Sequence, residues 1–156
     1  MKRFLRLILR LTIVLAVAIL VARFLFPLPD ISGRAPSLAI SISPVTTIGS
    51  KAIDEHSAHP GKSGVLPLRN GQDALASRME LIAAAEASID AQYYIWHDDT
   101  SGTLLLEALY KAANRGVRVR LLLDDNGVPG LDSFMAALDA HENFEIRLFN
   151  PSSIRS

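Results

Sequence analysis

Residues 88–127 read SIDAQYYIWHDDTSGTLLLEALYKAANRGVRVRLLLDDNG, and the fold class turns on them. Ser88 to His97 alternates, with Ile89, Ala91, Tyr93 and Ile95 on one side and Asp90, Gln92, Tyr94 and Trp96 on the other. That period of two predicts a strand. Ser101 can cap a helix over Gly102 to Arg115, whose Leu105, Ala108, Leu109 and Ala112 fall on one face and whose stop is Gly116. Val117 to Leu123 is the next strand, and its three closing leucines predict apolar cover on both faces. Asp124 to Gly130 then reads as a turn-rich loop.

Working outward, the same alternation continues. Leu131 to His141 predicts a further helix and Phe144 to Phe149 a further strand. Upstream, Gln72 to Ala87 carries apolar residues at helical spacing behind a plausible N-cap, Asn70. Val65 to Leu68 is a short apolar run that reads as a strand. Helices between short strands predict βαβ units and a parallel sheet, an α/β class.

The first 26 residues belong to another regime. They hold five basic side chains (Lys2, Arg3, Arg6, Arg10, Arg23) and no acid. Leu11 to Ala22 is uncharged and apolar, and Phe24, Leu25 and Phe26 extend it toward the length of a membrane span. An uncleaved signal anchor and a cleaved signal peptide share this pattern. The cleaved form wants a small-x-small site, and Arg-Phe-Leu-Phe-Pro succeeds Ala22 instead. The basic side then predicts a cytoplasmic N-terminus and export of the residues beyond about 27. Pro27 and Pro29 stop the helix. Residues 27–63 are rich in Pro, Ser and Gly and read as a linker, with His56 and His59 as solvated histidines rather than metal ligands.

The 130 residues after Phe26 carry the other 11 basic groups and all 16 acids. That acidic balance disfavours nucleic acid as a partner. The absence of cysteine removes disulfides and thiolate metal sites.

In an open parallel sheet, ligand-binding groups gather beyond the carboxyl ends of the strands. Tyr94, Trp96, His97, Asp98 and Asp99 fall there, as do Asp124, Asp125 and Asn126, then Asn150 and Arg155. Four carboxylates near one sheet edge could hold magnesium, although acidic pairs in such loops commonly cap the next helix. His97 has no evident acid to orient its ring.

The strings QYYIW (92–96), DDTSG (98–102), RGVRVRLLLDDN (115–126), PGLD (129–132) and RLFNP (147–151) occur in this order, preceded by HPGKSGVLPLRNGQDAL (59–75). Together they resemble the opening part of the phospholipase D superfamily, and within it the bacterial cardiolipin synthases of the C type. The resemblance covers about residues 59–151. It implies phosphatidyl transfer between phospholipids through a histidine-bound intermediate, with no metal or cofactor, at a bacterial inner membrane. The family's chemistry depends on two HxKxxxxD motifs, and neither is present. His56, His59, His97 and His141 are followed two positions on by Ala58, Gly61, Asp99 and Asn143. No catalytic residue is therefore assigned.

The expectation is an N-terminal fragment of such a transferase (residues 1–26 anchor, 27–63 linker, 64–156 truncated domain), inactive alone and completed by a chain carrying the motifs. Tyr94, Trp96, Asp124 and Asn126 are its candidate pocket residues. The alternatives are a phosphodiesterase or nuclease of the same superfamily and a non-catalytic membrane-tethered binding module. Strands taken from a larger sheet leave uncovered edges. Residues 60–156 expressed alone should accordingly be poorly soluble or molten, and a sharp calorimetric transition from that soluble piece would contradict the fragment reading.

Overall fold

The computed structural model describes residues 2–27, 30 and 32–151; Arg155 lies outside them. The chain forms two compact units, one containing the N-terminal helix and the other spanning residues 35–150.

Helix α1 (Lys2–Leu25) has 24 residues. At 1.5 Å per residue it is roughly 36 Å long, against about 30 Å of bilayer hydrocarbon. Within its stretch from Arg3 to Leu25, the 18 most apolar consecutive residues have a mean hydropathy of 2.5, and none of them is buried against protein. It is long and apolar enough to cross a membrane. Thr12, polar in the middle of this run, donates its hydroxyl to the Ile8 carbonyl at 3.0 Å and so costs little in an apolar medium.

The second unit begins with an extended strap, residues 35–43, and helix α2 (Thr47–Ala58). Helix α3 (Gly71–Ala84), strand β1 (Ser88–Tyr93), helix α4 (Thr100–Asn114), strand β2 (Arg118–Asp124), helix α5 (Asp132–Asp139) and strand β3 (Phe144–Phe149) come next. The sheet is parallel throughout, in the order β1-β2-β3. In register, Ile89 faces Val119 and Phe144, Ala91 faces Leu121 and Ile146, and Tyr93 faces Leu123 and Leu148. Leu105, Leu106, Leu109, Ala112 and Ala113 of α4, Met135 and Leu138 of α5 and Ile82 of α3 join this face in one buried cluster.

Local chemistry fixes the joints. The Asn70 side chain accepts from the Asp73 N–H at 2.8 Å and starts α3, as its sequence position predicts. At the other end of α3, the Arg115 guanidinium donates to the Ile82 carbonyl at 2.9 Å and reaches those of Ala83 and Ala85, supplying partners for carbonyls the helix leaves open. Gly116, at φ +91, closes α4: its N–H bonds to Ala113 and that of Val117 to Ala112, a Schellman arrangement.

Several expectations need correction. Helix α2, capped by Thr46, lies inside the stretch read as linker, and His56 and His59 fall at its C-terminal end. Only Gly49 of α2 is buried, so its sequence carries almost no apolar signal. Val65 and Leu66 form no strand and are 86% and 82% exposed. Strand β1 ends at Tyr93 rather than His97. The cap of α4 is Asp99, which accepts from the Gly102 N–H at 2.8 Å, while Ser101 donates to Asp99. The second face of the sheet is not apolar: it carries Asp90, Arg118, Arg120, Glu145 and Arg147, with Leu122 half-buried among them.

Leu109 is 1% exposed at the centre of the helix-covered face. Leu109→Ala should cost about 3 kcal/mol, within the usual range for a cavity in a packed core. The check is the shift of the urea midpoint of the full chain in detergent.

Candidate functional site

Beyond β1 the chain turns sharply. The Trp96 N–H donates to the Gly127 carbonyl at 2.9 Å, so the loop after β1 is pinned to the loop after β2. A Cβ on Gly127 would come within 2.0 Å of the Tyr94 carbonyl oxygen, which explains why glycine stands there. The turn sends Trp96 inward, where it is 4% exposed and meets the Tyr93 ring edge-on at 4.6 Å. Its indole N–H is buried and has no partner among the described residues. Tyr94 and Ile95 are thrown outward, 75% and 51% exposed.

Asp124 is buried at the end of β2. One carboxylate oxygen accepts from the Asn126 N–H at 2.9 Å and the other from the Asn150 side chain at 3.2 Å, so this acid ties the ends of β2 and β3 together. Asn150 takes the left-handed conformation, φ 49, that asparagine tolerates better than most residues. The Asn126 side chain is exposed. Of the four candidate pocket residues, Trp96 and Asp124 are thus buried, and Tyr94 and Asn126 stand at the surface.

A cleft of about 610 Å³ opens where the starts of α3 and α4 meet the end of β1. Asn70, Gln72 and Arg78 line one side, His97, Asp99 and Ser101 the other, with Tyr93 and Trp96 behind. The Gly102 N–H, then the Ser101 hydroxyl, hold the Asp99 carboxyl below its ordinary value. Asp99 is therefore a helix cap, the plainer of the two roles open to it. Asp125 is buried, whereas Asp98 is exposed. Among the described residues, no three His, Cys, Asp or Glu side chains converge as a metal site would require.

A second cluster, invisible to the sequence reading, occupies the charged face of the sheet. Arg120 grips Asp90 with two bonds, 2.6 and 2.7 Å, the planar fork matched to a carboxylate. Its remaining arm donates to the Ser37 carbonyl at 2.7 Å. Arg118 donates to the Leu38 carbonyl at 2.6 Å and Arg147 to that of Ala35 at 2.8 Å. The Ser37 hydroxyl donates to Glu145, which Arg147 also pairs. These partners lie as far as 112 residues apart in the chain, so no local pattern announces them. A cavity of about 330 Å³ lies here, lined by Ser37, Asp90, Gln92, Arg120, Glu145 and Arg147 among others.

No protein-family model matches the chain. It is 58% identical over 99 residues to cardiolipin synthase C of Escherichia coli, covering 64% of this chain and 21% of that protein. It is 43% identical over 121 residues to an uncharacterized protein of Helicobacter pylori, covering 77% of this chain and 24% of that one. The solved structure of NucT from Helicobacter pylori aligns with 50% of this chain and 47% of its own at a TM-score of 0.40 and 25% identity. These likenesses support a phospholipase D-type, cardiolipin synthase-like protein. The chain spans about a fifth to a quarter of the length of the curated relatives it matches.

The Arg120 fork holds the Asp90 carboxyl below its ordinary 3.8, against a smaller opposing push from burial. Burial pushes Glu145 up, but the Ser37 hydroxyl and Arg147 outweigh it and the net direction is down from 4.5. Both groups bind protons more readily in the unfolded chain. Their contribution is therefore complete above the ordinary carboxylate values and is lost as pH falls through the lower folded ones. Between about pH 5 and pH 3 the urea midpoint of the native chain should fall more steeply than that of Asp90→Asn, by a modest margin for so exposed a pair. Parallel slopes would remove this pair from the acid response.

Proposed function

We propose that the chain forms the leading part of a membrane-anchored, phospholipase D-type phosphatidyltransferase that acts on phospholipids in cardiolipin synthesis. The observation that carries this reading is the 58% identity over 99 residues to a cardiolipin synthase. The acidic balance after residue 26 and the apolar α1 fit a lipid substrate better than a nucleic acid. The basic flank of α1 supports an uncleaved signal anchor with its N-terminus in the cytoplasm and the second unit on the far side of a bacterial inner membrane.

Attack on a phosphodiester by this route needs a nucleophilic imidazole, a second imidazole to protonate the leaving oxygen, and lysines to stabilise the equatorial charge. None of the four histidines is followed by lysine two positions on. His141 is engaged with Asn114 at 3.2 Å and with the Asn143 N–H at 3.1 Å. In this proposal the reacting residues come from outside these 156, from a longer chain or from a complementary one. No metal or cofactor is invoked. Tyr94 and Asn126 are exposed enough to contact lipid, while Trp96 and Asp124 hold the pocket wall from beneath.

Expression in a bacterium lacking its own cardiolipin synthases tests this. The chain alone should give no cardiolipin in lipid extracts analysed by mass spectrometry. Residues 35–150, exchanged for the matching segment of cardiolipin synthase C, should restore it. Cardiolipin from the chain alone would refute its dependence on outside residues. A stably expressed, membrane-resident chimera that made none would refute the transferase assignment.

A further inference from the structure

Single exposed apolar residues are ordinary on a protein surface. On the strap they recur at alternate positions instead: Leu38, Ile40 and Ile42 are 78%, 48% and 62% exposed, and Val45 lies just beyond at 88%. At the opposite phase Ser37 and Ser43 are half-buried, while Ala39 and Ser41 between them are exposed. An extended chain directs successive side chains to opposite sides, and a two-sided segment ordinarily turns its apolar side inward. Here the polarity is reversed, and the reason is the charged face beneath. The carbonyls of Ala35, Ser37 and Leu38 are taken by Arg147, Arg120 and Arg118, and the Ser37 hydroxyl by Glu145. With its inner edge committed to these bonds, the strap holds its apolar edge in solvent.

Two further observations bear on what covers that edge. Residues 31–53 contain no acid and two basic groups, Arg34 and Lys51, within a region that is otherwise acidic. Without acids, such a stretch is not repelled by an anionic lipid surface. The strap is also joined to α1 by residues 26–34 alone, so it stays on a short tether from any bilayer that α1 enters.

We propose that Leu38, Ile40, Ile42 and Val45 seat in the headgroup–acyl boundary of the bilayer that α1 enters. The strap is then a second membrane contact, clamped to the sheet by three arginines. The inference rests on α1 being embedded in the membrane and is independent of the reaction assigned above.

The chain has no cysteine, so single substitutions Leu15→Cys, Ile40→Cys, Ile42→Cys and Glu107→Cys can each carry a polarity-sensitive fluorophore. The full chain is placed in phosphatidylethanolamine–phosphatidylglycerol vesicles with and without brominated acyl chains. An interfacial side chain lies about 5–10 Å into the headgroup–acyl boundary, so labels at positions 40 and 42 should lose roughly half their emission to bromine. The label in α1 at position 15 should lose more, and the label at exposed position 107 on α4 should be unchanged. Positions 40 and 42 behaving like 107 while 15 is quenched would overturn strap docking and leave α1 embedded. Absence of quenching at 15 and 40 together would overturn the membrane reading and the docking with it. Labels at 40 and 42 shielded from aqueous iodide yet untouched by bromine would show a protein surface over the strap, which also defeats the proposal.

Discussion

Strand β2 must satisfy two incompatible surroundings at once, and the second unit is arranged around that demand. Val119, Leu121 and Leu123 are at most 1% exposed and point into the helix-covered face. Arg118 and Arg120 alternate with them and cannot enter it, because a guanidinium out of water needs partners for its donors. One face therefore acquires α4 and α5, the crossovers of two βαβ units, with α3 packed on α4. The other acquires carboxylates from the flanking strands and the carbonyls of a strap from far upstream. The arginines need acceptors and an extended strap has carbonyls to offer, so the strap is a structural member of the sheet face rather than a spacer.

The carboxyl end of the sheet obeys a different logic, close backbone approach. Gly127 lets one loop touch the Tyr94 carbonyl, and Gly102 lets the start of α4 come against His97 and the Trp96 indole. A Cβ at either place would meet backbone oxygen near 2 Å, a contact no side-chain rotation relieves. These two glycines let Trp96 turn into the core, while Tyr94 and Asn126 stay exposed beside it. The rim is thus set by main-chain packing, and the chemistry it could serve depends on which side chains that packing leaves outside.

The sequence is most readable where a signal is local. Asn70 before α3, Gly116 after α4 and the alternation through Tyr93 each act over a few residues, and each stands where its pattern puts it. Legibility fails where the deciding partner is distant. Nothing in SIDAQYYIWH shows that Gly127 will capture the Trp96 N–H and end β1 early. VRVRLLL reads as a strand covered on both faces until Asp90, Glu145 and the strap are brought to its arginines. Helix α2 escapes a reading by pattern because burial hardly shapes it: Gly49 is buried, Ser50 and Ile53 are half-buried and the rest is exposed, and its Ser, Thr, Gly and Lys content looks like linker. VLPL shows the converse, a strand-like composition that joins no strand.

The same separation of local from distant governs the site. The caps and glycines that shape the cleft are encoded beside the elements they terminate, so a scaffold can be read from this stretch. A phosphatidyl-transfer centre needs two imidazoles and their lysines brought together from separated motifs, and those motifs are not among these 156 residues. His97 lines the cleft, and its neighbours Asp99 and Ser101 are spent on capping α4. The bonds from the Gly102 N–H and the Ser101 hydroxyl both end on one oxygen of Asp99, Oδ1, and the charge of the carboxylate also acts on His97. The cleft therefore offers His97 and a few surface polar groups on a scaffold built by local caps and close backbone approach.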